Sequence, residues 1–406
     1  MLSKWVIVGA GAICLAAIIG GVIFTLNAFS QDKAPAGASV QAPVPVLIET
    51  PLPADSTAPV ITDVSVLATG RTGAAITWTT DEEATSAVEY GLNKYYSFAA
   101  SPDEYLVTSH IIILSGLTPQ AKYDFRVKST DAGGNESISD DYTLTTSKDG
   151  TLVNGTLSEN TTWTESDSPY LIISTVQVPA GVTLTMNPGA SVIMSGGNDY
   201  LFKVDGMVLA HGRPGNNITL DGGGHSFFTS ENAGPDATVD LDYCTIKNGR
   251  SLINFARGFN LRHSEVTNLT QNSDISFGPT SDIYIEYNNF TNASGFITGG
   301  STVNIRYNHF YSRNRTVQDT PWIINRAGPA TMVNYNFFIE TDGIAVMLEG
   351  GSGTESIEAA FNYWGTYNIT TINAMIWDKH DDSGLASYIE YMPTRNSPEP
   401  IRLFTF

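Results

Sequence analysis

Hydrophobic and polar residues alternate in a six-residue pattern that returns six times in the second half of the chain. The copies are Leu241–Ile246, Leu261–Val266, Ile285–Phe290, Ile305–Phe310, Val333–Phe338 and Ala359–Trp364. Their starts lie 20, 24, 20, 28 and 26 residues apart. One strand-like hexad per irregular period in the twenties predicts a coiled β-solenoid. Position one is apolar and position three mostly aromatic (Tyr243, Tyr287, Tyr307, Tyr335), so a period of two predicts both on a buried strand face. Position four reads Cys244, Ser264, Asn288, Asn308, Asn336 and Asn362. Four Asn at one level predict an amide ladder between coils. Position two should face outward. It reads Asp242, Arg262, Glu286, Arg306, Asn334, and its first four members alternate in sign, as suits neighbouring strands.

A second apolar ladder precedes most hexads: Ile253–Phe255, Ile275–Phe277, Phe296–Ile297, Trp322–Ile324 and Val346–Leu348, each with a glycine soon after it. Each coil therefore needs at least two strands and tight turns. With these repeats, the stretch Val178–Gly189 (VPAGVTLTMNPG) and the stretch Phe361–Thr366 (FNYWGT), followed by Ile376-Trp377-Asp378 and Tyr391-Met392-Pro393, residues 148–395 resemble the right-handed parallel β-helix, pectin-lyase-like proteins. That fold hosts unrelated activities, so the resemblance implies architecture before function.

Upstream, short alternating runs predict strands at Ile61–Leu67, Ala75–Thr80, Ser86–Tyr90, His110–Leu114, Tyr123–Thr130 and Tyr142–Thr146. Trp78, Gly116-Leu117-Thr118-Pro119 and Tyr123–Asn135 make residues 58–147 similar to a fibronectin type III sandwich. The resemblance implies a core Trp78 and a corner hydrogen bond from Tyr123. Residues 31–57 carry Pro35, Pro43, Pro45, Pro51 and Pro53 and predict an extended spacer. Trp5–Leu26 holds no charge and comes directly after Lys4. Its length favours a transmembrane helix over a cleaved signal within residues 1–30, with the N-terminus inside and the rest at the cell surface. If the segment is cleaved, the remainder is secreted. The expected fold class is all-β: a parallel β-helix preceded by a β-sandwich and an N-terminal transmembrane helix, with 396–406 as a tail.

The net charge is −20, from 21 basic and 41 acidic residues, which speaks against nucleic acid as a partner. Cys14 and Cys244 sit in unrelated surroundings and predict no disulfide.

The outward strip of the hexads, Asp240, Asp242, Arg262, Tyr284, Glu286 and Arg306, offers carboxylates, guanidiniums and an aromatic side chain, which suits sugars. Tyr311–Pro321 brings out Arg313 and Arg315, and Arg326 comes after the next strand; Arg forks match uronate carboxylates. Asp240 and Asp242, two apart on one strand face, could serve an inverting glycosidase, with Arg262 beside Asp242. The Gly-His-Gly of the pectinase-like hydrolases is not found, nor an acidic cluster beside the arginines of the kind that holds calcium in lyases of this fold. Asp378–Asp382 reads as turn chemistry, and His211, His225, His263 and His309 lack zinc-like spacing. No cofactor is expected, calcium only if the chain is a lyase. Nine sequons, at Asn135, Asn154, Asn160, Asn217, Asn268, Asn289, Asn292, Asn314 and Asn368, are candidate glycosylation sites.

The expected function is non-catalytic carbohydrate binding or adhesion by a membrane-anchored surface protein, with polysaccharide or cell-surface glycan and the membrane as partners. The alternatives are a lyase, hydrolase or epimerase on acidic polysaccharide, and a structural coat component.

Overall fold

The computed structural model describes residues 55–394 apart from 101, 197–198, 231–236, 255–257, 276–282, 300–301, 312–320, 328–330, 340–342, 350–356, 384, 386–387 and 393, together with residues 15–19 and 22–26. The chain forms two compact units, Met1–Ala54 and Asp55–Phe406.

In the first unit, Leu15–Ile19 and Val22–Leu26 pair as antiparallel strands. Where the chain is described, at 15–19 and 22–26, strands stand in place of the continuous membrane helix expected over Trp5–Leu26, and no helix among the described residues is long and apolar enough to cross a membrane. The sequence offers a reason: Ile18, Ile19, Val22 and Ile23 are β-branched and favour strands. The Pro-rich segment up to Ala54 lies outside the described residues.

The second unit begins with seven antiparallel strands. The long strand Gly73–Gly91 pairs through its first part with Ile61–Thr69, along most of its length with Asp103–Ser115, and through its last residues with Lys122–Thr130. The core holds Trp78, Phe125, Val127 and Val88. Trp78 is 1% exposed, its Nε1 donating to Ser129 Oγ at 2.9 Å, and Thr118 N donates to Tyr123 Oη at 3.0 Å. The roles expected of Trp78 and Tyr123 are thus both present. The two separate strands expected at Ala75–Thr80 and Ser86–Tyr90 form one irregular strand. Backbone bonds around Gly70 tie these antiparallel strands to the start of the solenoid. Ser147 N donates to the Gly70 carbonyl at 3.0 Å, and Arg71 N donates to Gly150 O at 2.8 Å.

From Thr151 to Trp377 the described strands pair in parallel. One sheet stacks nine strands, beginning Thr161–Trp163 and Thr183–Met186 and ending Thr331–Asn334 and Ile357–Glu358. The remaining strands pair as two further stacks. Strands such as Ile218–Asp221, Cys244–Gly249 and Glu265–Leu269 form one. Strands such as Ser226–Thr229, Ile253–Asn254 and Ser273–Asp274 form the other. A full coil contributes a strand to all three stacks, so the solenoid is three-sided. Its core is one continuous cluster from Trp163 to Ile389.

The hexad spans a corner of this prism. Leu241 and Asp242 end a strand of the nine-stranded sheet, and Cys244 begins a strand of the next. Position three is the corner itself. Tyr243, His263, Tyr287, Tyr307, Tyr335 and Phe361 all have positive φ, between 45° and 62°. The side chains expected inside therefore stand outside, the tyrosines half-buried and Phe361 exposed, while positions one, four and six fill the interior. The physical reason is that no straight strand can bury positions one, four and six together, so the chain must turn between one and four.

The expected amide ladder is present. Backbone N of Cys244 donates to Ser264 Oγ, Ser264 N to Asn288 Oδ1, Asn288 N to Asn308 Oδ1, Asn308 N to Asn336 Oδ1 and Asn336 N to Asn362 Oδ1, all at 2.7–3.0 Å. A third level, Phe290, Phe310, Phe338 and Trp364, stacks inside at centroid separations of 4.9–5.0 Å. Gly295 lets coils close up, since a Cβ there would stand 1.8 Å from Trp322 O.

A left-handed backbone costs an ordinary residue about 1–2 kcal/mol. At the corner this is offset by ring stacking, worth roughly 0.5–1.5 kcal/mol per pair. Tyr307 has φ 60° and stacks on Tyr287 at 4.8 Å and Tyr335 at 5.2 Å. Tyr307→Ala loses both contacts and keeps the strain; Tyr307→Gly loses the contacts and relieves it. Urea denaturation should find the glycine variant more stable than the alanine variant by about 1 kcal/mol. Equal stabilities, or a more stable alanine variant, would remove strain from the account of this corner.

Candidate functional site

The outward face of the nine-stranded sheet carries two parallel columns set by register. Asp242, Arg262, Glu286, Arg306 and Asn334 are aligned in one, with His211 preceding Asp242. Asp240, Asn260, Tyr284 and Asn304 are aligned in the other. Six of the sequence-predicted residues, Asp240, Asp242, Arg262, Tyr284, Glu286 and Arg306, thus share one face. Alternation of side chains along each strand places them there, because Val239, Leu241, Leu261, Ile285 and Ile305 between them point into the core.

The expected alternation of charge is realised with one change of partner. Arg262 Nη2 donates to Asp240 Oδ1 at 2.8 Å, diagonally, and not to its register neighbour Asp242. His211 Nε2 lies 3.2 Å from the other Asp240 oxygen. Asp242 is taken by the corner residue, with His263 Nδ1 at 2.8 Å from Oδ1. Arg306 places Nε at 2.9 Å and Nη2 at 2.5 Å from one oxygen of Glu286. These side chains are partly exposed, from 15% for Glu286 to 51% for His211.

Sequence reasoning missed the border of this face. The corner residues stack as Tyr243, His263, Tyr287, Tyr307, Tyr335 and Phe361, with near-parallel rings 4.8–5.3 Å apart. The stack runs beside the Asp242 column, since Tyr243, His263, Tyr287, Tyr307 and Tyr335 each come directly after a column residue in the chain. Burial in the stack, with the Tyr307 and Glu286 groups beside it, holds the Tyr287 phenol above its ordinary pKa. It is a neutral hydroxyl at physiological pH. Because each ring covers its neighbour's face, the stack offers edges and hydroxyls more than faces. A signal for it was present: a residue between two inward levels, at the only place where the corner fits.

The other predicted residues lie elsewhere. Arg326 stands on a different face, in Ile323–Ala327, with Nε 2.6 Å from Glu349 Oε2 and Nη1 3.5 Å from Asp274 Oδ2. Arg313, Arg315 and Asn314 lie outside the described residues. Asp378 is buried and does turn work as expected: Oδ1 accepts from His380 N at 2.8 Å, and Oδ2 from Ile389 N at 2.8 Å. Cys244 is buried in the ladder, and burial pushes its thiol far up.

Several sequon side chains serve the fold. Asn268 Nδ2 donates to Asn248 Oδ1 at 3.1 Å, and Asn292 Nδ2 donates to Asn268 Oδ1 at 2.7 Å. Asn217 Nδ2 reaches Thr245 Oγ1 at 3.2 Å, and Asn135 Nδ2 reaches Asp131 Oδ2 at 2.7 Å. Asn154, Asn160 and Asn368 are exposed, Asn289 is half-buried, and Asn368 Oδ1 caps the short helix Ile369–Asn373.

Among the described residues, Asp55, Glu82 and Asp131 bring carboxylate oxygens within 4.8 Å of one another, beside the antiparallel strands. These residues lie far apart in the chain, which hid them from motif reading. Loss of hydration and the neighbouring Asp55, Asp131 and Asp81 hold Glu82 above its ordinary pKa. Asp131 is already held by Asn135, which donates N and Nδ2 at 2.8 and 2.7 Å.

No family profile matches the chain, and no curated protein sequence matches it. Among solved structures it is similar to pectate lyase PelI from Erwinia chrysanthemi, at 12% identity over 78% of this chain and 82% of that one, with a TM-score of 0.18. It is also similar to a family 28 exopolygalacturonase from Yersinia enterocolitica, at 10% identity over 79% and 83%, TM-score 0.20. Pectate lyase Pel3 from Pectobacterium carotovorum matches at 11% over 74% and 84%, TM-score 0.18. At these scores the likeness adds nothing to the strand pairings, from which the parallel β-helix is read.

Proposed function

We propose that this is a surface protein that binds carbohydrate without cleaving it, through the outward face of the nine-stranded sheet. One observation carries the reading: a flat strip of partly exposed carboxylates, guanidiniums and amides, bordered by a row of aromatic edges and phenols. Sugars are held by such paired donors and acceptors beside aromatic groups. Asp240 and Asp242, the carboxylates that could serve a glycosidase, are both taken up by basic partners. That favours binding over turnover. The uncharged apolar run Trp5–Leu26 behind Lys4 supports export of the rest of the chain, and the Trp78 and Tyr123 contacts support a fibronectin type III-like spacer.

The test is a glycan array with the purified full-length chain, run beside a product assay on pectin, alginate and other uronates. The expected outcome is retention on glycan with no new reducing ends or unsaturated products. Bond cleavage abolished by Asp242→Ala would overturn the non-catalytic reading. Neither binding nor turnover on any glycan would leave a structural coat role.

A further inference from the structure

The cations of the strip are already engaged. Arg262 and Arg306 are its two guanidiniums, and each lies on a carboxylate of the same strip, Asp240 and Glu286. Arg306 directs two of its N–H groups at one Glu286 oxygen. Three carboxylates (Asp240, Asp242, Glu286) against two guanidiniums leave a formal charge of −1 between Asp240 and Arg306, on a chain of net charge −20. An anionic sugar laid along this face meets one carboxylate beside each arginine and gains no unpaired charge. To reach a guanidinium fork it must displace an internal carboxylate that is held at 2.5–2.9 Å. What stays available is hydrogen-bonding capacity: spare carboxylate lone pairs, the guanidinium N–H groups pointing away from their partners, and the phenols of Tyr287, Tyr307 and Tyr335. Hydroxyl groups donate to the first and accept from the others.

Resting on the carbohydrate reading above, we infer that the strip takes an uncharged polysaccharide and rejects polyuronates, with Glu286 and Asp240 as the specificity-determining residues. They set specificity by occupying Arg306 and Arg262. Removing a carboxylate while keeping its shape frees a guanidinium and adds one positive charge to the face. The rejection is therefore electrostatic and should be reversible by a single amide substitution.

The full-length chain is titrated at low salt with neutral β-glucan, galactan and mannan, and separately with polygalacturonate. The wild type should bind at least one neutral polymer and bind polygalacturonate more weakly. E286Q should raise polygalacturonate affinity about fivefold, as expected for release of one partly exposed charge, and the gain should fade in high salt. D240N, which frees Arg262, should act in the same direction, and E286Q combined with R306Q should lose the gain. Thermal melts confirm that each variant is folded, and D240N serves if E286Q is not. A wild type that prefers polygalacturonate, or folded E286Q and D240N that gain nothing for it, overturns the specificity while leaving carbohydrate binding standing. Failure of every polymer to bind wild type and variants overturns the carbohydrate reading and the specificity with it.

Discussion

Replacing Asn308 by Asp is expected to destabilise the solenoid by about 3–5 kcal/mol, despite near-identical shape. Asn308 is fully buried. Its Oδ1 accepts from N and Nδ2 of Asn288, both at 3.0 Å. Its Nδ2 donates to Ile285 O at 2.7 Å and Asn336 Oδ1 at 3.0 Å. A carboxylate supplies the acceptor and removes the donor. Its second oxygen would face two other oxygens, and a charge would sit where water cannot reach it. Protonation restores one donor for one of the two acceptors and leaves the other without a partner. Ser is the control, because Ser264 already holds this level two coils away, donating to Arg262 O at 2.7 Å and accepting from Cys244 N at 2.9 Å. Denaturant midpoints should therefore rank wild type above Asn308→Ser and Asn308→Ser above Asn308→Asp. An Asp variant within about 1 kcal/mol of wild type would mean the ladder is not sealed from solvent.

That ladder was legible in the sequence because Asn at a core level has one simple explanation, a partner in the next coil. The corner beside it was not. Tyr287 and Tyr307 are as apolar by composition as a core residue, and period-two alternation assigns them to the inside. Only the backbone turn, visible as positive φ, puts them out. The strip itself was legible: Asp240, Asp242, Arg262, Glu286 and Arg306 emerge from alternation once the hexads are aligned. Their partners did not. Whether Arg262 chooses Asp242 straight across or Asp240 on the diagonal depends on side-chain reach, and His263 settles it by taking Asp242. The transmembrane helix expected near the N-terminus shows the opposite failure. Hydropathy counts apolar residues without asking whether they are β-branched, and the described residues there pair as strands.

The two aromatic ladders allow a direct comparison of inside and outside. Phe310 and Tyr307 are three residues apart, and each stacks between rings about 5 Å away, Phe290 and Phe338 for the first, Tyr287 and Tyr335 for the second. Phe310 also meets Trp322 at 4.9 Å and is fully buried. Phe310→Ala removes the ring and leaves a cavity among coils whose parallel strand pairs cannot close inward without breaking register, so it should cost about 3–5 kcal/mol. Tyr307→Ala removes a ring of similar size from the corner. Solvent refills that space, and the loss should stay near the stacking term, roughly 1–3 kcal/mol for two pairs. Unfolding both variants in urea measures the difference at fixed sequence neighbourhood. A cost for Phe310→Ala no greater than for Tyr307→Ala would mean that the interior ladder is held by stacking alone. In that case the burial that makes positions one, four and six the inward set would no longer account for the coil.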